Sequence, residues 1–376
     1  MQVMGVPVVG VVGGGQLARM MVPPAIALGI EIRVLAEKPD ASARLAASAV
    51  GDYRDLETVR TFAKDVDVIT FDHEHVPQDV LRALVTDGVA VHPGPDALQF
   101  AQDKLEMRRR LAEVGVPMPD WAGVRNAEEL QAFIDEHGGA AIVKTPRGGY
   151  DGHGVRKVTA GTEVADWFAD FDELLVEELV DFRRELAQLV ARRPSGQMAA
   201  WPVVETVQVD GVCKEVMAPA PHATPRIHQV AHEIAESIAS GLDVTGVLAV
   251  ELFETTDDRI LVNELAMRPH NSGHWTIDGS RTSQFEQHLR AVLDLPLGDP
   301  APREAATVMI NILGGPQGEA ITDRFATAMA QFPEAKLHTY GKDARPGRKV
   351  GHVNVAGSEL EQVAFVARAA AAVFDD

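Results

Sequence analysis

Short apolar runs alternate with helix-compatible stretches along the first quarter of the chain. The runs VVGVV, IRVLA, VDVITF and VAVHP are rich in β-branched residues, and stretches such as QLARMMVPPAIAL and VPQDVLRALVTDG separate them. This alternation predicts parallel strands joined by crossover helices. Ligands on such a sheet bind beyond the carboxyl ends of the strands, so candidate site residues are expected in the loops that follow them.

The pattern changes after residue 97. The stretch ALQFAQDKLEMRRRLAEVG carries apolar residues at helical spacing and predicts one helix, which Gly115 and Pro117 stop. A mostly antiparallel region is then predicted from the strand-like runs AAIVK, LLVEELV, ELAQLVARR, AAWPVVETVQ, GVLAVELFE and RILVNELAMR. A proline-rich stretch at 296–304 precedes a small terminal unit that closes with a helix over 359–374. We therefore predict domains at 1–97, 98–300 and 301–376.

Composition limits the classes of partner. The chain has 376 residues, 46% of them hydrophobic, so it can bury more than one core. Its 35 basic and 55 acidic side chains give a formal net charge of -20, which argues against general affinity for nucleic acid or anionic membrane. The lone cysteine, Cys213, excludes an internal disulfide framework and is expected to be small and buried. With no secretory signal and no membrane-length apolar run, we expect a cytoplasmic protein.

The opening run VVGVVGGGQLARMM has the spacing of a dinucleotide-binding loop. Gly13, Gly15 and Ala18 fit the glycine pattern between a strand and a helix, and Glu37 ends the next apolar run. Backbone N–H groups at a helix start also bind other anions. The motif by itself leaves a nicotinamide or flavin dinucleotide open.

Two carboxylates are predicted to face each other in ELFETTDDRILVNE. A turn centred between Asp257 and Asp258 would place Glu251 opposite Glu264 on adjacent strands. Like charges at that spacing repel, and Mg²⁺ between carboxylates and phosphate oxygens relieves the repulsion. On this register Ile260, Val262 and Phe253 share the face of the carboxylates. A solvated acidic hairpin is the alternative.

A lysine and several glycines suggest a phosphate-binding loop in IVKTPRGGYDGHGV. The strand ends in Lys144, and Gly148, Gly149, Gly152 and Gly154 follow. Glycines allow backbone N–H groups to approach a phosphate, and lysine adds a point charge. The spacing is not that of a P-loop, and a flexible hairpin is the alternative.

A nearby strand end, LLVEELVDFRRE, has acidic residues suited to a nucleoside. Its carboxylates and main-chain groups would meet an adenine edge, and Glu185 would reach a ribose. An ordinary strand with charged edges is the alternative.

Neutral donors and one cation follow the second carboxylate strand in NELAMRPHNSGHWT. Arg268, His270, Asn271, Ser272 and His274 together suit a small anion beside a metal. Zinc at the two histidines is the alternative, although no third ligand is evident.

A basic loop stands out in the acidic chain at KLHTYGKDARPGRKVGH. Lys336, Lys342, Arg345, Arg348 and Lys349 would clamp a phosphomonoester, and a solvated basic loop is the alternative.

Five stretches together resemble the ATP-grasp superfamily and, within it, the 5-(carboxyamino)imidazole ribonucleotide synthetase family of purine biosynthesis. They are GGGQLARM, TFDHEHVP, KTPRGGYDGHG, NELAMRPHNSGHWT and YGKDARPGRKVGH, in the order typical of that family. The resemblance implies an α/β and α+β architecture: an N-terminal Rossmann-like domain, a two-lobed ATP-grasp region and a small C-terminal domain. It implies that ATP phosphorylates bicarbonate, and that carboxyphosphate, or carbon dioxide from it, carboxylates the amine of 5-aminoimidazole ribonucleotide.

The resemblance also implies roles for individual residues. For ATP they are Lys104, Lys144, Gly149, Tyr150, Asp151, Gly152, His153, Gly154, Val155, Glu177, Glu178, Leu179, Val180, Glu185, Gln208, Asn263 and Glu264. For Mg²⁺ they are Glu251 and Glu264, and for catalysis Arg268, His270, Asn271 and Asp151. For the ribotide they are Gly15, Gln16, Glu74, Tyr150, Asp151, Lys342, Arg345, Arg348 and Lys349. No biotin and no NAD are implied, the partners are small-molecule substrates, and a homodimer is expected.

The family pattern is not complete in this chain. Gln208 stands where relatives often have histidine, and Met267 where proline is common. Other functions compatible with the motifs are a formate-dependent glycinamide ribonucleotide transformylase of the same superfamily, a nicotinamide oxidoreductase and a catalytically silent nucleotide-binding protein.

Overall fold

The computed structural model describes residues 5–149 and 153–375. The elements of its N-terminal unit are β1 (Val8–Val12), α1 (Gln16–Leu28), β2 (Glu31–Ala36), β3 (Ala47–Val50), α2 (Leu56–Ala63), β4 (Val68–Phe71) and α3 (Gln78–Thr86). The strands form a parallel sheet in the order β3-β2-β1-β4, as the alternating pattern predicts. The carboxyl ends of β1 and β4 carry the opening loop and the segment that begins at Asp72.

The predicted helix after residue 97 is two helices. They are α4 (Pro95–Gln102) and α5 (Lys104–Val114), and Asp103 between them has extended backbone. The Asp103 side chain accepts from the backbone N–H groups of Leu105 and Glu106 and so caps α5. Helical spacing alone did not reveal this break, because a capping aspartate fits either a continuous or an interrupted pattern. The break makes Lys104 the first residue of α5.

A small antiparallel sheet follows. The elements of this region are β5 (Trp121–Val124), α6 (Ala127–Glu136), β6 (Ala141–Lys144), β7 (Val155–Val158), α7 (Trp167–Asp170) and β8 (Leu174–Glu178). The strands pair in the order β5-β8-β6-β7. Lys144 ends β6 and Glu178 ends β8, so both chain segments leave the sheet at positions predicted to meet the nucleotide.

The following elements are β9 (Phe182–Arg192), β10 (Met198–Ala200), β11 (Val204–Val209), β12 (Val212–Ala218), α8 (Pro225–Gly241), β13 (Gly246–Thr255), β14 (Ile260–Ala266), α9 (Thr276–Gly279), α10 (Gln284–Val292), β15 (Ala306–Leu313), α11 (Phe325–Gln331), β16 (Lys336–Thr339), β17 (Lys349–Gly357) and α12 (Leu360–Ala372). Their strands form the largest sheet, in the order β14-β13-β9-β11-β12-β15-β17-β16, with β10 paired to β9. All its pairs are antiparallel. The strands of the predicted terminal unit thus continue the sheet of the predicted central domain.

Packing joins these layers. One buried cluster runs from the helices of the N-terminal unit through α8 to β9, β13 and β14, and a second joins α1 to α10. His288 of α10 lies fully buried between the two units, with Nε2 at 2.7 Å from the hydroxyl of Thr70 and Nδ1 accepting from the backbone N–H of Val247. Among the described residues, no helix is both long and apolar enough to cross a bilayer.

Candidate active site

The predicted pairing of two carboxylates is confirmed, although the hairpin has a different register from the one assumed. Glu251 faces Glu264, but nearer the turn Leu252 faces Val262 and Glu254 faces Ile260. The pairing near the turn is shifted by one residue from the predicted register, and a bulge at Asn263 shifts it back. Glu251 therefore faces Glu264 as predicted. The bulge also corrects the face assignment: Ile260 and Val262 belong to the buried core, whereas Phe253 lies with the carboxylates.

A cavity of about 520 Å³ lies between the two antiparallel sheets and gathers most of the residues predicted to bind ATP and metal. The predicted ATP and metal residues that line it are Lys104, Lys144, Val155, Glu177, Glu178, Leu179, Val180, Glu185, Gln208, Glu251, Asn263 and Glu264, and it is also lined by His270 and Asn271, predicted for catalysis, and Lys349, predicted for the ribotide. They come from positions as far apart as 104 and 349, so the clustering arises from the tertiary fold.

Both predicted phosphate lysines have acidic partners and contact the metal strand β14. Lys104 forms an ion pair with Glu264. Lys144 is 2.7 Å from Glu177 Oε2 and donates to Asn263 Oδ1 at 3.1 Å. Burial would raise the pKa of Glu177, but Lys144 and Arg108 outweigh it and lower the value to about 2. Glu177 therefore acts as an anion that orients Lys144, and its carboxylate is not available to an adenine.

The electrostatics of the facing pair suit a cation. Burial and then the charge of Glu264 raise the pKa of Glu251 to about 7. For Glu264, burial is opposed by Lys104 and Lys144, and the pKa is lowered. Because the two carboxylates repel each other when both are ionised, a divalent cation between them would stabilise the pair by neutralising both charges.

The donor set fits magnesium rather than zinc. Within residues 5–149 and 153–375, no three His, Cys, Asp or Glu side chains converge closely enough to hold a metal alone. Two carboxylates completed by substrate phosphates are a usual Mg²⁺ environment. His274, the second histidine of the zinc alternative, is fully buried and hydrogen-bonds Gln284 instead.

The predicted anion-binding residues adjoin this pair. Burial, then the charges of Arg268 and Lys349, lower the pKa of His270 to about 3, so its imidazole is neutral. Its Nδ1 is 2.9 Å from the Ser272 hydroxyl, and its Nε2 is 3.3 Å from Glu251 Oε1. A neutral imidazole here donates or accepts a hydrogen bond without competing with a cation for the carboxylates.

Glu74 of the N-terminal unit holds Arg268. One of its carboxylate oxygens accepts from the backbone N–H of Met267 at 2.7 Å, and the other from Arg268 Nε at 3.1 Å. Glu74 was predicted to meet a ribose, and the structure adds this second contact. The pair connects the end of the parallel sheet with the anion-binding segment.

The opening loop is occupied by carboxylates of the protein itself. Glu37 accepts from the backbone N–H of Gly14 at 3.2 Å, and Asp72 accepts from that of Ala18, in the first turn of α1, at 2.7 Å. A Cβ on Gly15 would lie 1.9 Å from Asp72 Oδ2, so the glycine is needed for this close approach. Acidic groups at these donors disfavour a pyrophosphate, which argues against the dinucleotide alternative.

The basic C-terminal loop reaches the same place. Lys342 donates to Gln16 Oε1 at 2.7 Å, so the two segments predicted to bind the ribotide meet. Arg348 donates to the backbone carbonyl of Asp343 within the loop, and Arg345 is exposed. Lys349 instead lines the central cavity near Glu251. Their roles toward a phosphate stay predictions.

Close backbone packing supports the base of the glycine loop. Gly154 has φ of +71°, its carbonyl accepts from the backbone N–H of Thr145, and a Cβ on it would lie 2.4 Å from the Thr145 hydroxyl. A Cβ on Gly149 would lie 2.7 Å from the carbonyl of His153. The predictions for Tyr150, Asp151 and Gly152 lie outside the described residues.

Several residues at the site were not found by sequence reasoning. Arg108, fully buried, binds Glu177 from beneath the cavity, while Thr206 and Phe182 line its wall. Cys213, expected to be buried, is so and lines the cavity as well. Gln208 hydrogen-bonds Glu185, so an amide at this position holds the predicted ribose carboxylate without a charge. The only signal for Arg108 was an arginine on an otherwise apolar helix face.

Comparison with known proteins agrees with this geometry. Residues 109–285 match an ATP-grasp domain, residues 6–102 a ribonucleotide synthetase preATP-grasp domain, and residues 307–365 a phosphoribosylaminoimidazole carboxylase C-terminal domain. The N5-carboxyaminoimidazole ribonucleotide synthase of Mycobacterium tuberculosis is 53% identical over 97% of this chain and 87% of its own. The chain belongs to the N5-carboxyaminoimidazole ribonucleotide synthase family.

Other members of the N5-carboxyaminoimidazole ribonucleotide synthase family support the assignment. The enzyme of Corynebacterium ammoniagenes is 47% identical over 98% of this chain and 92% of its own. The crystal structure of the Thermus thermophilus synthetase has a TM-score of 0.88 at 35% identity and covers 98% of this chain and 99% of its own. The Aspergillus clavatus synthase, solved with ADP and the aminoimidazole ribonucleotide, has a TM-score of 0.88 at 33% identity, with 98% of each chain covered. The resemblance and the fold class inferred from the sequence are confirmed.

Proposed function

We propose that this protein carboxylates the exocyclic amine of 5-aminoimidazole ribonucleotide, using bicarbonate and cleaving ATP to ADP and phosphate. Members of its family carry the name of this product, and one was solved with ADP and the aminoimidazole ribonucleotide. One observation carries the proposal for this chain: phosphate lysines, facing carboxylates and anion donors line a single cavity.

In the first step, a bicarbonate oxygen attacks the γ-phosphorus of ATP, and the bond from that phosphorus to the bridging oxygen of ADP breaks. Phosphoryl transfer needs alignment and charge neutralisation more than a protein nucleophile. Lys104 and Lys144 supply positive charge at the phosphates. Mg²⁺ held by Glu251 and Glu264 would neutralise charge on the transferred group.

In the second step, the amine nitrogen attacks the carboxyl carbon of carboxyphosphate, or of carbon dioxide formed from it, phosphate leaves, and the nitrogen loses a proton. Arg268, His270 and Asn271 hold the small anion beside the metal pair, and Glu74 fixes Arg268. Asp151 is our candidate for the residue that takes the amine proton. Because carboxyphosphate hydrolyses readily, this chemistry requires a site that excludes water.

The direct test supplies the purified protein with 5-aminoimidazole ribonucleotide, bicarbonate and MgATP, and measures ADP, phosphate and carboxylated product. We expect all three in equal amounts. Replacing the two acceptors by glycinamide ribonucleotide and formate tests the transformylase alternative. Product from that pair alone would overturn the proposal, and NADH fluorescence titration tests the oxidoreductase alternative in the same buffer.

The metal assignment has its own variant. Glu264→Gln keeps the shape of the side chain but removes a charge from the pair, so we expect phosphate release to fall by at least about 100-fold. Glu113→Gln changes an exposed carboxylate that pairs with Arg110 on α5 and serves as the control. Full activity of folded Glu264→Gln would contradict the assignment.

Three further proposals extend this function. The metal is Mg²⁺, because its protein ligands are the carboxylates of Glu251 and Glu264. The carbon source is bicarbonate, because neutral and cationic hydrogen-bond donors adjoin these carboxylates. ATP is the phosphoryl donor. A homodimer and a cytoplasmic location remain predictions from the family resemblance and from the single cysteine. Sedimentation analysis of the purified protein tests whether it is a homodimer.

A further inference from the structure

Arg108 of α5 is a fully buried arginine with no place in the proposed chemistry. Its guanidinium donates through Nε to Glu177 Oε1 at 2.5 Å, through Nη1 to the carbonyl of Val262 at 3.0 Å, and through Nη2 to that of Asn263 at 2.7 Å. A buried cation stabilises a fold only when its donors are satisfied, as they are here. The contacts join an α-helix to the strands β8 and β14.

The two carbonyls that Arg108 binds are consecutive. Along a regular strand, successive carbonyls point to opposite edges, so one group on one edge meets only alternate residues. Val262 and Asn263 both accept from the same guanidinium because β14 bulges there. β14 is also the edge strand of its sheet, so within residues 5–149 and 153–375 no further strand competes for these carbonyls.

The bulge decides which residue faces Glu251. From the turn inward, Glu254 pairs with Ile260 and Leu252 with Val262, and continuing this register would place Asn263 opposite Glu251. The extra residue at the bulge places Glu264 there instead. A one-residue change of register moves a side chain to the other face of a strand, so without the bulge Glu264 would leave the cavity.

The same contacts form a closed ring. Arg108 binds Glu177, Glu177 binds Lys144 at 2.7 Å, Lys144 donates to the side chain of Asn263 at 3.1 Å, and the backbone of Asn263 returns to Arg108. Each member fixes the next. The ring thus links the lysine predicted to bind phosphate with the strand predicted to bind metal.

We propose that Arg108 is a positioning residue that holds the β14 bulge, and through it sets Glu264 opposite Glu251 in a metal-binding geometry. This inference rests on the proposed function only for the claim that Glu251 and Glu264 bind a metal, because the register of β14 is a property of the fold. Arg108 does not contact the cavity, so it acts through Glu264 and Lys144. A planar guanidinium serves three acceptors in fixed directions, which a lysine ammonium cannot reproduce.

The test compares Arg108→Gln and Arg108→Lys with Arg109→Gln, a change of the neighbouring exposed arginine that pairs with Glu106 and Glu173. Half-saturating Mg²⁺ is measured for ADP formation, and also for the rise in unfolding temperature that MgATP produces. For Arg108→Gln we expect half-saturating Mg²⁺ to rise by about ten-fold or more, the size typical of residues behind metal ligands. Arg108→Lys should lie between it and wild type, and Arg109→Gln should stay within about two-fold of wild type.

A role limited to stability would lower the amount of active enzyme and leave half-saturating Mg²⁺ unchanged, and that result would overturn the proposal. If Arg108→Gln does not fold, Arg108→Lys carries the test. A crystal structure of the folded variant gives a readout without activity: we expect Asn263 to face Glu251, or the bulge to be displaced. An intact pairing of Glu251 with Glu264, with unchanged Mg²⁺ response, would also overturn it. If wild type itself shows no Mg²⁺ dependence, the proposed function fails, and the register in the variant crystal still decides this inference.

Discussion

The buried carboxylate of Glu177 gives the sharpest stability prediction. Glu177 is 3% exposed and lies between Arg108 and Lys144. These cations outweigh its burial and lower its pKa from 4.5 to about 2. A difference of this size corresponds to roughly 3 kcal/mol of folding free energy, at about 1.4 kcal/mol for each pKa unit.

We expect Glu177→Gln to lose roughly that amount, because an amide keeps the hydrogen-bonding shape but leaves two buried cations without their anion. At about 2.1 cal/mol/K of unfolding entropy per residue, the unfolding temperature of a 376-residue chain should fall by roughly 4 °C. Activity should also fall, since Lys144 loses the partner that orients it. Thermal unfolding followed by circular dichroism measures the first effect, and ADP formation the second.

The pH dependence follows from the direction of the shift. A depressed pKa contributes stability that is full above the unfolded value near 4.5 and is lost as pH falls through the folded value. The difference in unfolding temperature between wild type and Glu177→Gln should therefore be constant near pH 6 to 7 and shrink progressively below about pH 5. Other carboxylates titrate in both proteins and cancel in the difference.

Glu178→Gln is the matched control for stability, because the neighbouring carboxylate is only part-buried and accepts a hydrogen bond from the backbone N–H of Asp120. It should cost less than about 1 kcal/mol. If the unfolding temperature of Glu177→Gln lies within a degree or so of wild type, or if the two variants lower it equally, the ion pairs of Glu177 do not supply the expected stability.

Two further predictions concern residues of the N-terminal unit, Glu74 and Gly15. Glu74→Gln leaves one oxygen to serve both Arg268 and the backbone of Met267, so we expect kcat/KM for bicarbonate to fall about ten-fold while KM for ATP stays unchanged; an unchanged bicarbonate response would contradict the role of Glu74. Gly15→Ala adds a Cβ at 1.9 Å from Asp72 Oδ2, so it should cost about 1 to 3 kcal/mol of stability and raise KM for the ribotide. Gly94→Ala, where a Cβ meets nothing within 4 Å and φ is -67°, is the control, and equal losses in both variants would argue against the steric explanation.

Much of the architecture could be predicted from the sequence because it depends on local patterns. Alternating apolar runs and helix-compatible stretches define the parallel sheet, and the later runs define antiparallel strands, since periodicity and β-branched residues act over a few residues. The site motifs were equally local. Lys144 ends a strand before glycines, and Arg268 and His270 closely follow the strand of Glu264, so each was recognisable from residue type and spacing.

The pairing of Glu251 with Glu264 shows what local sequence patterns do not predict. A simple turn placed Glu251 opposite Glu264, and the structure has this pairing, but only because a bulge offsets a shifted turn. Register in a hairpin depends on packing of both faces and on what binds the edge, and a sequence pattern of period two does not reveal an inserted residue. The same limit explains why Ile260 and Val262 were assigned to the wrong face.

Local sequence patterns specify the classes of strand and helix, the family and the chemical types at the site. The packing of distant segments determines which polar groups meet: Glu177 with Arg108, Glu74 with Arg268, and Lys342 with Gln16. The physical reason is that a buried charge must find a partner, and that partner is whichever group the packing of distant segments brings within hydrogen-bonding distance. Such pairs span as many as 326 positions of the chain and have no local signature.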